Sequence, residues 1–134
     1  MSKNTKRNRG ESIRREVMSD VFVDRALANT NDFDAPLQEM VMETAWGNVW
    51  DRDDLPRKTR SLVTIAMLAA LKCPQELKGH VRGALRNGCT KDEVRGVLLH
   101  ALPYIGAPAT MDAFRAAREV VDAWDDRTVS ESDA

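Results

Sequence analysis

The sequence predicts an all-α protein of six or seven helices, and three observations carry that prediction. Apolar residues recur three and four apart along most of the chain. Ala, Leu, Arg and Glu recur throughout while aromatic residues make up only 5%, a balance that favours helix. No run alternates apolar and polar residues as a half-buried strand would. At 134 residues, 43% hydrophobic and 31% charged, the chain has the size and composition of one globular domain with a real core. A net charge of -1 gives no broad basic field, which argues against nucleic acid as the main partner. The longest apolar run, Leu62 to Leu71, is about half a membrane span, so no membrane partner is expected. No apolar core follows the basic N-terminal residues, as it would in a signal peptide, and a cytoplasmic location is the default. Cys73 and Cys89 are expected to stay reduced there.

Residues 1–9, MSKNTKRNR, are polar and basic and are expected to be disordered up to about Gly10. Residues 10–124 are then one domain, and 125–134 an acidic, frayed tail. Lys3, Lys6, Arg7 and Arg9 also read as a nucleic-acid arm, which the near-neutral net charge disfavours. From Glu11 to Ala28, Ile13, Val17, Val21 and Phe22 recur at helical spacing, and Ser19-Asp20 can cap a second short helix inside that span. Asn29 to Asp34 is a polar break, with Asp34 an N-cap candidate and Pro36 in the next first turn. The helix that follows carries Leu37, Met40, Val41, Ala45 and Val49 and ends in Trp46-Gly47-Asn48-Val49-Trp50. Trp46 and Trp50, four apart, read as core or subunit packing. The sharper alternative is that one indole walls a ligand pocket.

Pro56 suits a first helical position and opens the stretch on which the functional reading rests. On a 3.6-residue period Arg57, Arg60, Ser61 and Thr64 form one stripe of an otherwise apolar helix. A helix apolar on nearly every other face is usually buried, so the stripe is expected to face something polar inside the protein. For Arg57 the plain alternative is a surface ion pair with Asp51, Asp53 or Asp54. Arg60 lies one turn deeper, where a guanidinium needs an anion or hydrogen-bond acceptor. A carboxylate ligand suits these groups.

Pro74 starts the next helix and Asn87-Gly88 ends it. Leu77, Val81, Ala84 and Leu85 form its buried stripe. Glu76 and His80 are neighbours at i and i+4. A histidine beside an apolar stripe is often structural, but a carboxylate one turn away can fix its tautomer and favour the imidazolium, which suits a proton donor. Thr90-Lys91-Asp92-Glu93 is a capping box opening a helix that buries Val94, Val97, Leu98, Ala101 and Leu102. His100 and Tyr104 share another face of it. Pro103 is expected to kink or end this helix and deliver Tyr104-Ile105-Gly106 into a turn. Pro108 starts a last helix with Met111, Phe114, Ala117, Val121 and Trp124 inward. No phosphate loop, nucleophile elbow or metal-ligand spacing is present.

Six segments, IRREV (13–17), VDRAL (23–27), AWGNVW (45–50), LPRKTRSLVTIAML (55–68), ELKGHVRGALRNG (76–88) and LLHALPYIGAPA (98–109), resemble the carboxymuconolactone decarboxylase family in that family's order, over roughly residues 10 to 122. The resemblance implies the alkylhydroperoxidase D-like helical bundle and a cytosolic homo-oligomer, commonly a hexamer. It implies cofactor-free decarboxylation of 4-carboxymuconolactone, a small carboxylated lactone, to the β-ketoadipate enol-lactone. The family's RxxRS helix start falls on Arg57, Arg60 and Ser61, its ELxxH segment on Glu76 and His80, and its tryptophan pair on Trp46 and Trp50. Arg57 and Arg60 are then substrate grips, His80 oriented by Glu76 the proton donor, and His100 or Tyr104 a second donor.

His100, Pro103 and Met111 depart from the family pattern around the expected pocket, which leaves room for a different unsaturated lactone or carboxylate. Redox members carry a CxxC motif where this chain reads Cys73-Pro74-Gln75-Glu76, so an intra-motif disulfide cannot form. A peroxidase-partner reading would need Cys73 to work with a distant thiol such as Cys89.

Overall fold

The computed structural model describes residues 4–127, and every regular element among them is helical. The described residues pack as two compact units, divided between Pro56 and Arg57.

In the first unit α1 spans Thr5–Met18, α2 Asp20–Ala28 and α3 Ala35–Met40, which runs on as a π-helix over Val41–Val49. The ordered start expected near Gly10 comes earlier. The Asn4 side chain accepts from the Arg7 amide at 2.8 Å, which satisfies a first-turn donor. Arg7 and Arg9, readable as a basic arm, are instead held by acids. Arg7 binds Glu11 and Glu39, and Arg9 binds Asp51 at 2.9 Å. The hydrogen bond from Arg7, aided by Arg15, holds the Glu11 carboxyl below its usual range although partial burial opposes this. Ser19 caps α2 as expected, accepting from the Phe22 amide at 3.1 Å. Asp34 precedes α3, but its Oδ1 accepts from the Asn31 amide at 2.9 Å and so closes the preceding turn instead of capping the helix.

The π-helix was not foreseen. In it Trp50 donates to the Ala45 carbonyl, five residues back, at 3.0 Å. Two glycines let α1 lie close against this segment. A Cβ on Gly10 would sit 1.8 Å from the Met42 carbonyl oxygen, and one on Gly47 would sit 2.5 Å from that of Lys6. Ile13, Val17 and Met18 pack there on Trp46 and Trp50. Burying each such side chain stabilises by about 1.5–3 kcal/mol. Arg14 is the unusual neighbour. It lies over the Phe22 ring, 5.7 Å from the centroid, and donates to Gln38 Oε1 at 3.1 Å, and burial pushes its pKa down.

The second unit holds α4 (Arg57–Ala70), α5 (Pro74–Arg86), α6 (Lys91–Ile105) and α7 (Ala107–Arg127). Ile65, Leu77, Val81, Val94, Leu98 and Ala113 anchor its core. The connections follow local chemistry. Gly88, at φ 95°, follows α5, in the backbone region glycine adopts at little cost. Thr90 and Glu93 complete a reciprocal capping box at α6.

Three expectations need correction here. Pro103 does not end α6, which continues to Ile105 and stops at Gly106, φ 94°. The carbonyl that Pro103 leaves unbonded belongs to Leu99, four residues back, and both residues are exposed, so water can satisfy it. Second, α4 is buried only along Arg60, Ser61, Ile65 and Ala69, while Val63 and Met67 stand open. Third, Leu102 and Met111, read as inward, are exposed. Helix α7 also runs past the fraying expected at 125; residues 128–134 of that expected tail lie outside the described residues. No described helix is long and apolar enough to cross a membrane.

Candidate functional site

The start of α4 brings three of the expected groups together. Pro56 precedes the helix, Arg57 opens it half-buried, and Arg60 and Ser61 are buried at 9% and 0% exposure. A guanidinium held this deep is costly unless charge or hydrogen bonding offsets it. Thr64, the fourth member of the stripe, uses its hydroxyl on the Arg60 carbonyl at 2.8 Å.

Ser61 fixes the relation between α4 and α5. Its hydroxyl accepts from Asn87 Nδ2 at 2.9 Å, a bond worth roughly 1 kcal/mol net. Asn87 is therefore a neighbour of the candidate site that the sequence reading missed. Its position just past α5 signals a cap, and nothing local signals a partner on α4. The bond joins the first turns of α4 to the last turn of α5, so the two helices run antiparallel. His80 stands seven positions before Asn87, which along a helix is about 10 Å. The arginines and the imidazole are thus spaced along one helix pair, with Arg57 farther from His80 than Arg60 is.

His80 is half-buried one turn after Glu76. Glu76 is exposed, and among the described residues it makes no hydrogen bond or ion pair, with His80 or otherwise. The expected carboxylate–imidazole neighbours are present by spacing but not by contact.

On α6 His100 and Tyr104 do meet, with ring centroids 5.4 Å apart at 37°. Both are exposed. His100 borders a groove of about 450 Å³ between α4 and α6, whose walls include Leu62, Val63, Ala66 and Val97. In the first unit Trp46 and Trp50 stack at 4.7 Å and 25°, buried against α1. That is the packing role, realised within one chain.

The two thiols do not favour redox work. Both are free; Cys89 is buried and donates to the Lys58 carbonyl at 3.6 Å. Burial pushes its pKa up, away from the reactive thiolate. No three His, Cys, Asp or Glu side chains among the described residues are placed to hold a metal ion.

Residues 35–119 match the carboxymuconolactone decarboxylase family. Over 111 residues the chain is 47% identical to the 4-carboxymuconolactone decarboxylase of Acinetobacter baylyi, covering 83% of each chain. It is 39% identical over 113 residues to nitrosuccinic acid decarboxylase npaB of Metarhizium robertsii, covering 84% of this chain and 79% of that one.

Proposed function

Because the chain belongs to the carboxymuconolactone decarboxylase family, we propose that it is a carboxy-lyase converting 4-carboxymuconolactone to the β-ketoadipate enol-lactone in the cytoplasmic breakdown of protocatechuate. The observation that carries this reading is the 47% identity, over most of both chains, to a protein of that name.

The substrate supplies its own electron sink. As the bond to the departing carboxyl breaks and CO2 leaves, the electron pair passes through the ring alkene onto the lactone carbonyl oxygen. A proton then returns to carbon, the ring is neutral again, and the enol-lactone is released with its remaining carboxylate intact. Such conjugation does what an added cofactor does in other decarboxylations. The protein must grip an acid, stabilise the developing oxyanion and deliver one proton.

Arg57 and Arg60 take the anionic end by paired hydrogen bonds. His80 is the proton donor, with Glu76 one turn away favouring its charged form. His100 or Tyr104 gives a second donor. Ser61 adds its remaining hydrogen-bond capacity while Asn87 holds it in place. The active particle is a homo-oligomer, a hexamer by family likeness. The large apolar side chains exposed at Val63, Met67, Leu99, Leu102 and Met111 are ones a subunit interface would cover.

The test is turnover of 4-carboxymuconolactone by the purified protein, followed as loss of the lactone and release of CO2. In the same assay Arg60→Lys is expected to lower kcat/KM by roughly 10- to 100-fold. A point charge cannot replace a planar fork. Unchanged kinetics would put the anion elsewhere. Glu76→Gln is expected to move the alkaline limb of the kcat profile to lower pH, since it removes a negative charge one turn from the imidazole. An unmoved limb would remove Glu76 from the mechanism.

A second reading, a different unsaturated lactone or carboxylate as substrate, is favoured by His100 and Met111 and by the 39% identity to a protein named for nitrosuccinic acid. An intact oligomer that leaves carboxymuconolactone untouched would select it.

A further inference from the structure

Between α6 and α7 lies a cavity of about 360 Å³, apart from the residues proposed for decarboxylation. Arg57, Arg60, Glu76, His80, His100 and Tyr104 are absent from its walls. Val94, Leu98, Phe114 and Val121 give it an apolar floor, and all four belong to or pack on the core of the second unit. Its volume falls in the range of small-molecule sites.

The rim has one sign of charge in excess. Lys91, Arg95, Arg115 and Arg118 face one carboxylate, Asp122. Three of the cations have a light hold on acids at the surface. Lys91 meets Asp125 at 2.8 Å, Arg95 meets Asp92 at 2.7 Å and Arg115 meets Asp112 at 2.9 Å. Exposed pairs of this kind contribute little and exchange partners readily. Arg118 is exposed and makes no ion pair or hydrogen bond among the described residues. A low-dielectric floor beneath several cations strengthens their pull on an anion. A guanidinium fork at the mouth suits a carboxylate in particular.

We propose that this α6–α7 cavity is a second ligand site, one that takes a small ring-bearing carboxylate with its ring on Phe114 and Leu98 and its carboxylate on Arg118. Such a ligand has the two parts the cavity distinguishes, an apolar body and one anionic end. A neutral ring of the same size loses the rim, and a small inorganic anion loses the floor.

Benzoate is the probe, titrated into the full-length protein by calorimetry. Saturable binding with a Kd of about 1 mM or tighter is expected. Benzamide, with the same ring and no charge, should bind about tenfold more weakly or less, as should benzoate to Arg118→Gln. Arg118 is exposed, so that variant keeps its fold and its decarboxylation rate. Arg60→Lys should bind benzoate as the unaltered protein does. No benzoate binding, equal binding by Arg118→Gln, equal binding of benzamide, or binding lost in Arg60→Lys would each overturn the proposal. The last outcome would place benzoate in the decarboxylation site, and none of them bears on whether carboxymuconolactone is turned over.

Discussion

Replacing His80 by alanine is expected to lower kcat by about 100- to 10,000-fold, the usual worth of a positioned proton donor. The melting temperature should hardly change. His80 is only half-buried, and the core stripe of α5 is carried by Leu77, Val81 and Ala84, each fully enclosed. The loss should fall on kcat more than on KM, because the proton is delivered after the acid has been gripped. Paired measurement of kcat and thermal melting decides the matter. A variant that turns over at the normal rate, or that loses activity and melting temperature together, would mark the imidazole as structural.

Gly10→Ala is expected to be the most destabilising small substitution in the first unit. Alanine is ordinarily the better helix former by up to about 1 kcal/mol, and α1 is a helix on both sides of this position. Contact overrides propensity here. The added methyl would start 1.8 Å from the Met42 carbonyl oxygen, a rigid backbone atom. Helix α1 must then move off the π-helix, which loosens Ile13 and Val17 from the tryptophan stack. A cost of about 3 kcal/mol or more follows, read as a melting temperature lower by roughly 10 °C. A variant at least as stable as the original would show that α1 is not seated on Met42 in this way.

Much of the fold is legible in the sequence because helix ends are local chemistry. Ser19, Pro74, the Thr90–Glu93 box and Gly88 each announce a boundary within a few residues of themselves, and each stands where expected. The missed features depend on partners far along the chain. The early start of α1 is reinforced by Arg7 finding Glu39 and Arg9 finding Asp51. The π-helix turns on the close fit of Gly10 and Gly47 against their neighbours. Pattern alone also misjudged α4. An apolar face reads the same whether its own core or another surface covers it, and among the described residues Val63 and Met67 are left exposed.

The candidate site divides along the same line. Helical period sufficed to group Arg57, Arg60 and Ser61, and to set Glu76 one turn from His80. It could not reveal that Ser61 is engaged by Asn87, because that pairing depends on how two helices slide past each other. Nor could it show that Glu76 stays in solvent and out of contact with the imidazole.

That serine–asparagine bond has a bearing on how substrate preference can change. It clamps the offset of two rigid rods, so the span from Arg57 and Arg60, the proposed anchor, to His80, the proposed proton donor, works as a ruler cut into the core. Lengthening or trimming surface loops leaves the ruler alone. A shift towards a longer or shorter acid would have to slip one rod along the other, and the side chains sealed beneath, Ile65, Leu77 and Val81, set the increments in which it can slip.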